Sequence, residues 1–400
     1  AVARRVGDPD VARFLVGAAV LKIVVGGVAR SGGTALLYGG LADATRYDRA
    51  GTELAGQFRS LDFTGVGEIS GTRLLEVVTG LVQAVVGDTL IGTFFVFAFF
   101  SFVGTLLLYL AFCEGVPDGD HRRFRLLLFL VPSMWFWSSS IGKEAFMLLC
   151  LGAIALGVSR LYRGALSGVI PLGLGMWGAI VLRPHYALVA LAAFAVGMLA
   201  PVGRRSAERA EGHRAVLARV AGPVALAITI PLAVTAAERF FGIDNLDADS
   251  TEDVFTDVDR RTSQGGSQFT APNPNSPVGY PVAVITVLFR PLPGEIGGAS
   301  GALSSLEGAS ILIITARHLW RGRGYAARTL RNRYALFSLG VLLVYCYVFA
   351  TIENFGIIAR QRSLVLPFLF VVLSAIGSRG ADHRSGTAVD HSDEPAGSPR

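Results

Sequence analysis

The stretch LIGTFFVFAFFSFVGTLLLYLAF, residues 90–112, contains no charged side chain. Because a helix needs about 20 apolar residues to cross a bilayer, this stretch predicts a membrane-spanning helix. The whole chain is similarly rich in apolar residues, since 52% of its 400 residues are hydrophobic, 16% are charged and the mean hydropathy is +0.52. Soluble domains carry about 25% charged residues. The composition therefore excludes an ordinary soluble domain and predicts an integral membrane protein.

Further apolar runs are spread along the chain, and together with the first they predict about ten membrane-spanning helices. They lie at Phe14–Ala29, Phe124–Ser140, Phe146–Val158, Ala165–Leu182, Ala187–Ala200, Ala221–Ala237, Ser300–Ala316, Tyr334–Thr351 and Leu364–Ser378. Two weaker segments, Arg73–Val86 and Val282–Phe289, are too short or too amphipathic to cross, and predict interfacial or re-entrant helices. The predicted fold is all-α, a polytopic integral membrane protein.

The arginine content alternates between successive loops, which indicates how the helices are oriented. Arginines cluster in the loops at residues 122–125, 160–163, 204–219 and 317–333. By the positive-inside rule, these loops and both termini are expected in the cytoplasm, in a multi-pass protein of the plasma membrane. The opposite loops face outward, and the long one at residues 238–280 is expected to act as a lid. Residues 1–378 then form the membrane domain, and residues 379–400 a disordered cytoplasmic tail.

Cationic and imidazole side chains also occupy the outer helix ends, where the topological bias does not require them. They are Lys143, Arg183, His185, Arg290, Arg360 and Arg362. Arginine presents a planar fork of donors that fits phosphate, and such a cluster is costly in a low dielectric unless a ligand or carboxylates neutralise it. In an extended turn Arg360 and Arg362 could share one oxyanion, whereas on a helix they would point about 200° apart. We therefore expect these side chains to bind the phosphate or pyrophosphate of a lipid.

Carboxylates accompany the cations. Asp43 and Asp48 follow the first helix, and three glutamates lie in the short outer corners. A carboxylate can orient or deprotonate a sugar hydroxyl while cations stabilise a departing phosphate. The candidate catalytic residues are therefore Asp43, Asp48, Glu144 and Glu295, and the further candidates for substrate binding are Tyr47 and Glu353. The sequence contains no metal-ligand cluster and no phosphate-binding glycine loop, so neither a metal nor a cofactor is expected.

Structural interpretations of the same residues stay open. Asp43 and Asp48 could cap a helix and pair locally with Arg46 and Arg49. Lys143 could simply extend its ammonium group from an apolar helix end into the headgroup region.

The layout of residues 10–378 resembles that of bacterial polytopic enzymes that use polyprenyl-linked sugars, the C-superfamily glycosyltransferases and the oligosaccharide repeat-unit polymerases. The similar features are an acidic first outer loop, an interfacial segment, arginines at the outer corners and a long outer loop late in the chain. In the transferases the acidic residue of the first outer loop acts as a base or orients the acceptor, which implies that role for Asp43, with Asp48 second. In the polymerases paired outer arginines bind the lipid pyrophosphate, which implies that role for Arg360 and Arg362.

The expected function is therefore hexosyl or pentosyl transfer, or polysaccharide polymerisation, at the outer face of an actinobacterial-type plasma membrane. The resemblance implies a polyprenyl-phosphate-linked sugar donor and a glycan or lipid acceptor, with membrane lipids as neighbours. The alternatives are a transporter or flippase of a lipid-linked sugar and a non-catalytic protein of envelope assembly. Nucleic acid is not an expected partner, because a net charge of +6 in a membrane protein is typical of cytoplasmic loops facing anionic lipid.

Overall fold

A computed structural model describes residues 8–37, 43–198, 213–242, 269–295, 298–320 and 330–375. Within these ranges the chain forms helices and no β-strand, which confirms the all-α prediction. Residues 243–268, most of the expected lid, lie outside the described residues, and so does the expected tail at residues 379–400.

The helices are numbered here in chain order. They are α1 (Pro9–Ala19), α2 (Gly27–Leu37), α3 (Asp43–Arg59), α4 (Gly71–Val86), α5 (Leu90–Gly115), α6 (His121–Leu130), α7 (Pro132–Phe136), α8 (Lys143–Tyr162), α9 (Val169–Leu182), α10 (Pro184–Met198), α11 (His213–Phe241), α12 (Gly279–Phe289), α13 (Gly298–Trp320), α14 (Arg333–Val348) and α15 (Phe355–Ser374). A π-helical segment, Val20–Gly26, joins α1 to α2.

In the part of the chain that the structure describes, four helical stretches are long and apolar enough to cross a membrane. They are Pro9–Thr34, Leu90–Gly115, Lys143–Tyr162 and Phe355–Ser374. These helices support the prediction of a membrane protein. The shorter apolar helices are Leu166–Leu182, Pro184–Met198, Gly279–Phe289 and Arg333–Val348. At 1.5 Å per residue even the longest of them reaches only about 26 Å, so the expectation of about ten spans is not confirmed.

The run Phe124–Ser140, predicted as a single span, is broken in the structure. Val131 is extended, as the residue before a proline prefers, and α6 therefore ends just before Pro132. Residues 137–142 are not helical, and Ser138 and Ser139 there are fully buried. Within a membrane, non-helical backbone is stable only where protein or a water-filled cavity surrounds it. Here the non-helical segment leads directly into the start of α8.

Helices α5 and α8 approach each other closely through glycines. Gly104 of α5 faces Leu148 and Gly152 of α8, and a Cβ atom on either glycine would collide with the opposite backbone. Small residues allow membrane helices to pack at this range. The close packing fixes the first turn of α8, which carries Lys143 and Glu144.

Helices α3 and α4 form an amphipathic pair that precedes α5. Phe58 of α3 is buried in the small apolar cluster between them. A salt bridge of 2.6 Å between Nη2 of Arg59 and Oδ1 of Asp88 ties the end of α3 to the turn before α5. Helix α4 covers the segment Arg73–Val86, for which an interfacial position is expected. The pair places Asp43, in the first described turn of α3, near the ends of the apolar helices.

Candidate functional site

A polar cavity of about 650 Å³ lies where α2, α3, α8 and α15 meet. The charged and aromatic side chains of its wall are Arg30, Asp43, Arg46, Tyr47, Trp137, Lys143, Glu144, Arg183 and Arg360. Among the described residues of the wall, five are cationic and two are carboxylates, so positive charge is in excess there. Half of the predicted site residues meet here, and two of them, Asp43 and Arg360, are 317 positions apart in the chain.

Two helices begin at the cavity wall. Helix α8 starts at Lys143 and helix α15 at Phe355, and Lys143 and Gly356 from their first turns line the cavity. The first turn of a helix carries a partial positive charge. At α15 the N–H groups of Gly356 and Ile357 already donate to Oδ1 of Asn354, so this helix contributes its dipole rather than open donors. These helix ends therefore add to the potential of the cationic side chains and favour an anion in the cavity.

Glu144 brings the cations together. Its Oε1 accepts hydrogen bonds from Nη2 of Arg183 at 3.2 Å and from Nε2 of Gln361 at 3.3 Å. The same oxygen lies 3.3 Å from Nε of Arg360 in a salt bridge, and the Glu144 side chain is only 9% exposed. A carboxylate enclosed by two guanidinium groups stabilises their positions but is poorly suited to take a proton from a substrate.

Asp43 is the more accessible carboxylate of the cavity. Its side chain is 66% exposed, and its Oδ2 lies 3.4 Å from Nη1 of Arg360. An ionised carboxylate has about four acceptor positions, so this one long contact leaves most of them open to a ligand. Asp43 is thus the carboxylate of the cavity wall that is best placed to accept a proton from a bound hydroxyl.

Tyr47 lies one turn after Asp43 on α3 and is 5% exposed. Burial, together with the nearby carboxylates of Asp43 and Glu144, raises the pKa of Tyr47 above its ordinary value. Its phenol therefore keeps its proton at neutral pH and can donate or accept a hydrogen bond at the cavity wall.

Two cations of the cavity were not among the predicted site residues. The Arg30 guanidinium lies 5.0 Å from the ring centroid of Phe136 and 5.2 Å from that of Trp137. Arg46, which the sequence suggested as a local partner of the acidic loop, reaches Glu76 at 3.9 Å. Arg30 directly follows the first apolar run, so the signal used for the other outer cations, a charge at the end of such a run, could have identified it.

Arg362 does not share a ligand with Arg360, because both lie on α15 and helical geometry directs them to different sides. Arg362 is fully buried, and its Nη2 lies 3.4 Å from Oε1 of Glu307. Glu307 in turn accepts hydrogen bonds from the backbone N–H and the hydroxyl of Ser133. This cluster links α7, α13 and α15 inside the protein. Arg362 is therefore part of the packing of these helices, and the prediction that it binds the phosphate together with Arg360 is wrong.

Two predicted catalytic carboxylates are held outside the cavity wall. Oδ1 of Asp48 accepts a hydrogen bond from Nε2 of Gln83 at 2.7 Å, across the contact between α3 and α4. Burial raises the pKa of Asp48. Glu295 forms a 2.7 Å salt bridge with Nη2 of Arg290, its near neighbour in the chain. Both carboxylates thus have local structural partners, as has the predicted phosphate ligand Arg290.

His185 and Glu353 are also placed away from the cavity wall. The His185 ring packs against the rings of Tyr186 and Phe349, so the imidazole belongs to an aromatic cluster. Oε1 of Glu353 accepts a hydrogen bond from the backbone N–H of Ala271 at 2.9 Å. Glu353 thereby holds the segment that leads into α12 rather than a ligand in the cavity.

Comparison with known protein families, with characterised proteins and with solved structures gives no match. A cavity with excess cations, two helix starts and one accessible carboxylate can hold an anionic group and place a hydroxyl beside a base.

Proposed function

We propose that the chain is a membrane glycosyltransferase or polysaccharide polymerase of cell-envelope glycan synthesis, which takes its sugar from a polyprenyl-phosphate-linked donor. The observation that carries this proposal is that five cationic side chains and the accessible carboxylate of Asp43 line one cavity beside helices that are apolar enough to cross a membrane. The alternation of arginines between loops supports an outer-face position for the cavity and cytoplasmic termini.

The cations are suited to the phosphate of such a donor. Arg183, Arg360 and Lys143 lie on the wall that also carries the starts of α8 and α15. A guanidinium group can donate two parallel hydrogen bonds to two phosphate oxygens. The N-terminus of a helix also favours a bound anion. A phosphate is also the leaving group of the proposed reaction, so these groups would stabilise the charge that develops on it.

Asp43 is proposed to act on the acceptor. In the transfer step an acceptor hydroxyl oxygen forms a bond to the anomeric carbon, and the bond from that carbon to the phosphate oxygen breaks. The hydroxyl proton passes to Asp43, and the electron pair of the broken bond remains on the phosphate. Glu144, enclosed by Arg183 and Arg360, keeps the cations in place.

The test is sugar transfer in membranes from a host that expresses the protein. Polyprenyl-phosphate-linked hexoses and pentoses, labelled in the sugar, are supplied as donors, and labelled glycan is measured. Asp43→Asn should lower the product at least about 100-fold, since this is the usual contribution of a general base. Arg183→Ala and Arg360→Ala should abolish the labelled product, while the amount of each variant in the membrane stays the same as for wild type.

Matched controls lie outside the cavity. Asp62→Asn changes an exposed carboxylate in the loop after α3, and Arg13→Ala changes an arginine whose side chain is 82% exposed. Both controls should retain wild-type product. If Asp43→Asn, Arg183→Ala and Arg360→Ala all leave the product unchanged, the proposed site is wrong.

A transporter or flippase of a lipid-linked sugar is the second candidate, favoured by the non-helical residues 137–142, which break a predicted span next to the cavity. Transporters build their sites from discontinuous helices whose starts face anionic groups. Vesicles that contain the purified protein and a labelled lipid-linked sugar separate the two functions. A transporter moves the lipid to the opposite leaflet without breaking it, whereas an enzyme transfers the sugar and leaves the lipid phosphate on its original side.

A further inference from the structure

We propose that Gln361 is a positioning residue, which holds the guanidinium group of Arg183 in the orientation that binds an anion in the cavity. This inference rests on the proposed function, in that the cavity is taken to bind the phosphate of the substrate. Gln361 is 6% exposed and does not line the cavity, so it acts through Arg183.

Gln361 and Glu144 each hold one arm of the Arg183 guanidinium. Nη1 of Arg183 donates to Oε1 of Gln361 at 2.7 Å, and Nη2 donates to Oε1 of Glu144 at 3.2 Å. Because the guanidinium is planar, fixing both terminal nitrogens fixes the directions of its remaining N–H donors. Those donors are the ones available to a ligand in the cavity.

The surroundings of Gln361 require an amide. Its Oε1 also accepts from the Tyr186 hydroxyl at 2.6 Å, and its Nε2 donates to Glu144 at 3.3 Å. Arg183 offers only donors and an ionised Glu144 only acceptors, so a side chain that bridges them must have both. The titratable groups around Gln361 are thus Glu144 on α8, Arg183 before α10 and Tyr186 on α10, together with Arg360, which contacts the same oxygen of Glu144. The Tyr186 hydroxyl in turn lies 3.5 Å from that of Tyr345 on α14.

Two substitutions separate positioning from simple packing. Gln361→Glu keeps the size of the side chain but replaces its donor by a second carboxylate oxygen against Glu144. When ionised, the new carboxyl repels Glu144 and competes for Arg183; when protonated, it regains a donor and imitates the amide. Gln361→Ala removes all of these contacts and adds no group that titrates.

The experiment measures binding of farnesyl phosphate, a short prenyl phosphate, to the detergent-purified protein by calorimetry. Wild type and variants are compared from about pH 8 to about pH 5, and the ratio of variant Kd to wild-type Kd is taken at each pH so that titration of the probe cancels. Loss of a hydrogen bond to a charged group predicts a ratio of about ten for both variants at the higher pH. The Gln361→Glu ratio should fall towards one as the pH is lowered, whereas the Gln361→Ala ratio should stay constant.

The control is Gln57→Glu, the same chemical change on α3 at a position that does not line the cavity; its ratio should stay near one. Wild-type affinity in Gln361→Ala would overturn the inference, and this result decides the matter even if the charged variant does not fold. Failure of the wild-type protein to bind farnesyl phosphate is a different result, and it would overturn the proposed function as well.

Discussion

Replacing Glu144 by glutamine should lower the stability of the protein and at the same time raise its affinity for an anion. Oε1 of Glu144 lies within 3.3 Å of nitrogen atoms of Arg183, Arg360 and Gln361. Without its negative charge, two guanidinium groups remain close together and lack their shared counter-charge. An anion that enters the cavity can then take over that role.

The size of both effects follows from the contacts. Removing one partner of a buried ion pair costs about 3–5 kcal/mol, and the lower end applies here because Arg183 keeps its bond to Gln361 and Arg360 keeps its contact with Asp43. For an anion placed at roughly 7 Å from the lost charge, an effective dielectric of about 20 gives a gain of about 2 kcal/mol, or roughly thirtyfold in Kd.

The assay is thermal unfolding of detergent-purified protein, followed by tryptophan fluorescence with and without inorganic pyrophosphate. Glu144→Gln should have a lower Tm than wild type without ligand and a larger rise in Tm when pyrophosphate is added. Glu68→Gln, which changes an exposed carboxylate in the loop before α4, serves as the control and should match wild type in both measurements. Reduced pyrophosphate binding by Glu144→Gln, or an unchanged Tm, would refute the role of Glu144 as the shared counter-charge.

Three further predictions concern residues outside the cavity wall. Arg362→Met leaves the buried Glu307 without its cation and should destabilise the protein by about 3–5 kcal/mol, and a double-mutant cycle with Glu307→Gln, followed by Tm, should show strong coupling between the two changes. Lys22→Met removes a buried amino group that donates to a hydroxyl and a carbonyl, and should be neutral or stabilising in the same assay; a large loss of Tm would contradict this. The hydrogen bond from Arg59 lowers the pKa of Asp88, so its stabilising contribution is present above the ordinary carboxyl pKa of about 4 and is lost as the pH falls through the lowered value. Wild type and Asp88→Asn should therefore differ in Tm at neutral pH and converge in acid, and a constant difference would exclude this linkage.

The helical architecture could be predicted from the apolar runs, but the number of spans could not. The run 90–112 lies within the single helix Leu90–Gly115, as its uninterrupted composition predicts. The run Phe124–Ser140 is also mainly apolar, yet α6 ends before Pro132, and a non-helical serine segment follows the short helix α7. Hydropathy averages over such a break, because the buried serines contact protein rather than lipid.

The cavity could be predicted in part, because cations at the ends of apolar helices have few other roles. This signal identified Lys143, Arg183 and Arg360, all of which line the cavity. It failed for Arg362, whose direction depends on where α15 begins. Asn354 caps α15 through hydrogen bonds to the N–H groups of the first turn, so both arginines become helical and diverge. An asparagine at this position is a cap signal that would have favoured the helical alternative.

The most direct test of a phosphorylated lipid in the cavity is mass spectrometry of the lipids that copurify with the protein. Wild-type protein should retain a polyprenyl phosphate or its glycosylated form, and Arg183→Ala should retain much less of it at the same protein yield. Equal retention by the two proteins, or a wild-type preparation that carries no phosphorylated polyprenol, would contradict the proposed site.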